Sequence, residues 1–176
     1  SAKRNNIKTT EIDSLMNMID KMEMHFENDD LILNGVNIQD EITLPEISEI
    51  VSQYASIPEV RSKLVVLQRK MSEKYNVIMD GRDIGTCVLP DAQVKIYLTA
   101  SSATRAKRRY DELTEKGVSC DLAEIEKDII DRDYRDMHRE TSPLRQAEDA
   151  VLVDSSDMTI DQVVDEIIRI YQEKTV

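Results

Sequence analysis

The chain has 176 residues, 40% of them apolar, with 23 basic and 35 acidic side chains and a net charge of −12. That size and composition suit one domain with a core, and they argue against disorder and against a general nucleic-acid or anionic-membrane binder. No run approaches the roughly 18–20 apolar residues of a membrane span, no secretory pattern opens the chain, and Cys87 and Cys120 stand far apart, which argues against a disulfide scaffold or zinc cluster and fits a reducing cytoplasm.

Ile12, Leu15, Met16, Ile19 and Met22 recur at helical spacing, with Thr9 and Thr10 as candidate N-caps, and predict a helix over 10–24. The runs 25–27, 31–33 and 36–42, separated by Asn28-Asp29-Asp30 and by Asn34-Gly35, predict a small antiparallel sheet. Two capping boxes follow, Thr43-Leu44-Pro45-Glu46 and Ser56-Ile57-Pro58-Glu59. They open helices carrying Ile47, Ile50, Val51 and Tyr54, then Val60, Leu64, Leu67 and Met71. The texture then changes. Tyr75–Asp80, Val94–Leu98 and Ala150–Asp154 read as buried parallel strands, each followed by small polar residues and a helix. Thr159 and Gln162 cap a last helix with Ile160, Val163, Val164, Ile167 and Tyr171 inward. The fold class is α/β with a parallel sheet, and ligands are expected beyond the carboxyl ends of its strands.

Charge is unevenly placed. Residues 20–60 hold ten acids and one base, whereas 101–145 hold seven of the twelve arginines. Arginine's planar fork suits phosphate oxygens, although a salt-bridged surface helix would share this composition. Three constellations stand out. Asp80-Gly81-Arg82-Asp83-Ile84-Gly85 puts charge directly after a strand, with a simple capped turn as the alternative. Arg105, Arg108 and Arg109 share one helix face, either as an anion site or paired with Asp111 and Glu112. Asp128, Arg132, Asp136 and Arg139 recur along a helix over 121–140 opened by Asp121-Leu122-Ala123-Glu124, with Arg135 beside them. That row is either an ion-pair ladder or a set of forks converging on a transferring phosphoryl group. His25 and His138 read as structural or surface residues, and the eight methionines as core filling.

The segments VIMDGRDIGTCVLPDAQVKIYL (77–98), ASSATRAKRRYDELTEKG (100–117) and RDYRDMHRETSPLRQAEDAVLVDSS (132–156) closely resemble the bacterial cytidylate kinases. The likeness extends upstream through SQYASIPEVRSKLVVLQRKM and covers nearly the whole chain. The resemblance implies a parallel-sheet P-loop nucleoside monophosphate kinase fold. A small antiparallel insert would lie at about 20–60, the core at about 75–99 and 150–176, and a helical lid at about 105–145, all in one kinase domain over 1–176. It implies transfer of the γ-phosphoryl of ATP, with Mg²⁺, to CMP or dCMP. By position, Ser52, Arg61 and Asp83 match residues that read cytosine. Arg82 and Arg139 match those that hold the acceptor phosphate, and Arg132 and Asp136 those that touch the ribose. Arg135, Arg108 and Arg109 fall where the lid approaches ATP, and Arg82, Arg132, Arg135 and Arg139 form the catalytic set. No protein metal site, nucleic acid or membrane is implied, and a cytoplasmic monomer is expected.

The family also carries a GxxGxGK[ST] phosphate loop, and no GxxxxGK[ST] occurs in these 176 residues. The expectation is that an N-terminal segment of a normal enzyme precedes them and that these residues alone are inactive. The rival readings are a non-catalytic cytidine-nucleotide-binding module, motivated by that missing loop, and a kinase for another pyrimidine monophosphate such as UMP, against which Asp83 and Arg61 argue.

Overall fold

The structure, a computed structural model, describes residues 1–28, 30–42 and 45–175, apart from the side chains at 45, 46, 48, 49 and 52. The chain divides into two compact units, Ser1–Ile78 and Met79–Val176.

The first unit is built on two packed helices and a three-stranded meander. Helix α1 (Ile12–Asp20) buries Leu15 and Ile19 against Val60 of α4 (Pro58–Lys74). Ile7, Met16, Met22, Tyr54, Leu64 and Leu67 close around that contact, much as helical spacing required. The Tyr54 hydroxyl, on α3 (Pro45–Ala55), donates to the Ile7 carbonyl at 2.8 Å, so a partly buried ring keeps its polar end paired. Strands β1 (Met24–Glu27), β2 (Asp30–Leu33) and β3 (Val36–Asn37) pair antiparallel in that order. Asn34 and Gly35 both have positive φ, 50° and 77°, as a two-residue hairpin between Leu33 and Val36 requires.

Several local expectations change here. The run 36–42 is not one strand, because after Asn37 it turns into the short helix α2 (Gln39–Ile42). The helix over 10–24 is shorter, and its N-cap is Glu11, whose carboxylate accepts from the Lys8 amide rather than capping the helix. At α4 the Ser56 box does not form. The Ser56 hydroxyl donates to the Gln53 carbonyl, and Ile57 takes the cap position with Pro58 first in the helix. In the other box Thr43 and Leu44 lie outside the described residues.

The second unit holds a parallel pair, β4 (Ile96–Thr99) and β5 (Val151–Asp154), in register from Ile96↔Val151 to Thr99↔Asp154. Each strand leads into a helix, as expected: α5 (Ser102–Glu115) and α7 (Ile160–Thr175). Helix α6 (Leu122–His138) packs on α5. Capping follows the sequence closely. Ser101 accepts from the Thr104 amide, Asp121 from those of Ala123 and Glu124, and Thr159 and Gln162 bond reciprocally. On α7 the inward stripe is Val163, Ile167 and Ile170, while Ile160, Val164 and Tyr171, also expected inward, are exposed.

The run 75–80 is not a strand. Tyr75 is extended, but the run joins no ladder among the described residues, and the Ile78 side chain is fully exposed. Its two ends serve different units. The Tyr75 ring packs edge-on against Phe26 of β1, 5.7 Å between centroids, whereas from Met79 onward the chain belongs to the second unit.

Candidate active site

The run 75–80 leads the chain into a tight turn. A β-carbon at Gly81 would lie 2.9 Å from Ile84 Cγ1, closer than carbons pack, so any other residue there would force the Ile84 side chain to move. Residues Ile84–Val88 then form one π-helical turn, a wide form often found at functional sites. The amides of Cys87 and Val88 both donate to the Asp83 carbonyl, at 2.8 and 3.3 Å, and the Leu89 amide donates to Ile84 at 2.7 Å. The far end of the turn is tied down by Lys95, whose buried ammonium reaches the Pro90 carbonyl and both Asp149 oxygens, at 2.9 and 2.7 Å. The Lys95 hydrogen bond, more than any other cause, holds the Asp149 carboxyl below its ordinary value. Arg82 and Asp83 are thus presented from a fixed backbone, with the Asp83 carboxylate 7% exposed.

Helix α6 supplies the facing groups. Its partly buried positions include Ile125, Ile129, Asp133 and Asp136, so an apolar stripe ends in two carboxylates. The helix stops at His138, and Arg139 leaves it in an extended conformation. The Arg139 Nε donates to the Ser142 carbonyl at 2.6 Å, and the Leu144 amide returns to the Asp136 carbonyl at 2.8 Å. This fold-back holds the Arg139 guanidinium by its inner nitrogen, leaving Nη2 near Asp83 of the turn and Nη1 near Asp136.

The cluster that results pairs Arg82, Arg105 and Arg139 with Asp83, Asp133 and Asp136. Arg82 Nε lies 3.1 Å from Asp136 Oδ2, and its Nη1 3.9 Å from Asp133 Oδ1. Arg139 is 3.9 Å from Asp83 and 4.0 Å from Asp136. These spacings exceed the roughly 2.7–2.9 Å of a charge-assisted hydrogen bond. Asp136 Oδ2 and Arg139 Nη2 are buried and make no hydrogen bond among the described residues. A buried donor left so costs about 1–3 kcal/mol, a penalty that a bound anion would relieve. Chemically, the cluster is a group of guanidinium forks set among carboxylates, with donor capacity to spare at Arg139 Nη2.

Other singled-out residues sit elsewhere. Arg132 is exposed and only 3.9 Å from Asp136, and Arg135 bonds back to the Asp131 carbonyl at 3.2 Å. Of the row of four, then, only Asp136 and Arg139 turn inward. Arg108 ties the loop after β5, donating to the Ser155 and Met158 carbonyls at 2.6 and 3.3 Å. Arg109 pairs with Glu112 at 2.7 Å on an exposed face. There Lys116 first, then Arg109, hold the Glu112 carboxyl down at about 2. His138 stacks on Tyr134 and bonds to its carbonyl. In the first unit Arg61 is partly buried in the first turn of α4, and the Ser52 side chain lies outside the described residues.

Asp133 is missed by sequence reasoning, and Arg105, expected to serve an anion or to pair with Asp111 and Glu112, pairs with Asp133 instead. Arg105 donates to Asp133 at 2.5 Å and to the Ala100 carbonyl at 3.1 Å. A signal was present: Asp133 continues the period of Ile125 and Ile129, so it had to face α5.

Comparison with known proteins gives a single picture. A family model described as "Cytidylate kinase" matches residues 1–173. The chain is 58% identical over 173 residues to a "Cytidylate kinase" of Clostridium perfringens (strain SM101 / Type A), covering 98% of this chain and 79% of that protein. It is 52% identical over 173 residues to one of Clostridium acetobutylicum, covering 98% and 80%. Against one of Clostridium botulinum (strain Okra / Type B1) the identity is 46% over 172 residues, covering 98% and 79%.

Proposed function

Because the chain belongs to the cytidylate kinase family, we infer that it serves ATP-dependent phosphorylation of CMP and dCMP to the diphosphates, on a P-loop nucleoside monophosphate kinase fold. The observation that carries this reading is Arg139: a guanidinium anchored at Nε, with a buried Nη2 making no hydrogen bond among the described residues, beside a buried aspartate on a fixed turn.

In this reading Arg82 and Arg139 grip the acceptor phosphate. Its oxygen is already nucleophilic, so alignment and charge neutralisation replace a general base. Asp83 accepts from the exocyclic amine of cytosine, a donor that uracil lacks, and Ser52 and Arg61 complete the reading of the base. Arg132 and Asp136 serve the ribose. The donor is ATP carrying Mg²⁺. Arg135 and Arg109 act on the ATP side, and Arg108 acts there by holding the Ser155–Met158 loop. Arg82, Arg132, Arg135 and Arg139 spread the developing charge of the transferring group. We read the protein as a cytoplasmic monomer, with about 20–60 as the monophosphate-binding insert and about 105–145 as the lid.

The test is a coupled assay on protein expressed from its complete reading frame, with ATP and CMP, dCMP, UMP or AMP as acceptor. CMP and dCMP should turn over at ordinary kinase rates of about 1–100 s⁻¹, and UMP far more slowly. Preference for UMP would overturn the assignment of Asp83.

A further inference from the structure

We propose that Asp133 is a positioning residue for Arg82, setting where the acceptor-phosphate fork lies before substrate arrives. Asp133 is mostly buried on the face of α6 that packs on α5, and its two oxygens serve different arginines. Oδ2 holds Arg105 at 2.5 Å, and Oδ1 lies 3.9 Å from Arg82 Nη1. Arg105 is fixed in turn, since its Nε donates to the carbonyl of buried Ala100, just past the carboxyl end of β4. A line of contacts therefore runs from the strand end through Arg105 and Asp133 to Arg82.

Arg82 is thereby suspended between two carboxylates, Asp136 on its Nε side at 3.1 Å and Asp133 on its Nη1 side at 3.9 Å. One carboxylate alone would draw the guanidinium fully onto itself. With Asp133 neutral, Arg82 collapses toward Asp136 and its fork is spent on a protein carboxylate instead of a phosphate. Arg105 keeps Asp133 from closing on Arg82 in the same way, because it already occupies the other oxygen. No substrate contact is assigned to Asp133 or Arg105, since their effect passes through Arg82.

This inference rests on the reading that Arg82 holds the acceptor phosphate, and the experiment separates the two. Affinities for CMP and for cytidine, which lacks the phosphate, are measured by calorimetry on wild type, Asp133→Asn, Asp133→Glu, Arg105→Gln and Arg82→Gln. Asp133→Asn keeps the shape and an oxygen for Arg105 but removes the charge. It should weaken CMP about tenfold and cytidine less than about twofold, and Asp133→Glu should recover most of that loss. Arg105→Gln lets Asp133 close on Arg82 and should also weaken CMP selectively, which keeps the test decisive if Asp133→Asn folds poorly. Equal losses for CMP and cytidine, or unchanged CMP affinity, would make Asp133 a plain helix–helix tie and overturn the proposal. If Arg82→Gln itself leaves CMP affinity intact, the phosphate role of Arg82 fails and the proposal falls with it.

Discussion

Arg139 and Arg169 stand in the same sequence relation to a carboxylate, three residues after Asp136 and Glu166 respectively, and the protein uses them in opposite ways. Arg169, inside α7, grips Glu166 at 2.6 Å and also Glu173 on an exposed face. Arg139 stands 4.0 Å from Asp136, partly buried, and its Nη2 makes no hydrogen bond among the described residues. Backbone makes the difference. Arg169 is helical, so i,i+3 spacing closes the pair, whereas Arg139 lies past the helix end at ψ 142°, where the same spacing no longer does so. A tight exposed pair is finished, and a loose, half-buried one is still open to a ligand.

The largest expected effect is at the open member. Arg139→Ala should cut kcat/KM for CMP about 100-fold, the equivalent of losing two charge-assisted contacts of about 1.5 kcal/mol each, with little change in Tm. Arg139→Lys keeps the charge but not the fork and should lose about tenfold. Near-normal kinetics would make Arg139 a second Arg169. Next comes Asp83, the carboxylate beside it. Asp83→Ala should lower the CMP-to-UMP ratio of kcat/KM by roughly ten- to a hundredfold, since about 1–3 kcal/mol rides on that acceptor. An unchanged ratio would remove it from base recognition.

A mixed pair sharpens the contrast. Lys95 is buried but its carboxylate partner, Asp149, is exposed. Asp149→Asn should lower Tm by about 2–4 °C, read by thermal melting at neutral pH. The Asp149 carboxyl is depressed in the folded protein, so its contribution is present above the ordinary value of 3.8 and is lost as pH falls below it. The Tm gap between wild type and variant should therefore narrow below about pH 4, and a constant gap across that range would show that the charge is not what matters. The smallest effect is at Arg169. Arg169→Ala should move Tm by less than about 1 °C and leave kinetics untouched. A drop in CMP turnover there would break the division between finished and open pairs.

Much of this was legible beforehand where local rules act alone. The Asn34-Gly35 hairpin, the boxes at Asp121 and Thr159, and the strands leading into α5 and α7 follow from turn chemistry, capping and short apolar runs. Arg82, Asp83, Asp136 and Arg139 were picked out as charges next to a strand end and along a helix, and the structure gathers those four in one cluster. Local patterns misled where two partners competed for one group. Ser56 had a nearer carbonyl at Gln53 than the amide it was expected to cap, and the run 75–80 was divided between Phe26 and the turn at Gly81.

The sequence by itself determined which segments carry the arginine forks and the carboxylates, and the motif that holds them is dense enough to identify the family. It did not determine which carboxylate faces which arginine. The row Asp128, Arg132, Asp136, Arg139 is one face only while the helix continues, and the end of α6 at His138 breaks it. Packing of α6 on α5 then turns Asp133 inward with Asp136 and leaves Arg132 in solvent. Tertiary structure decided this because an ion pair at 3 or 4 Å depends on where two helices and a turn stop, and no single segment holds that information.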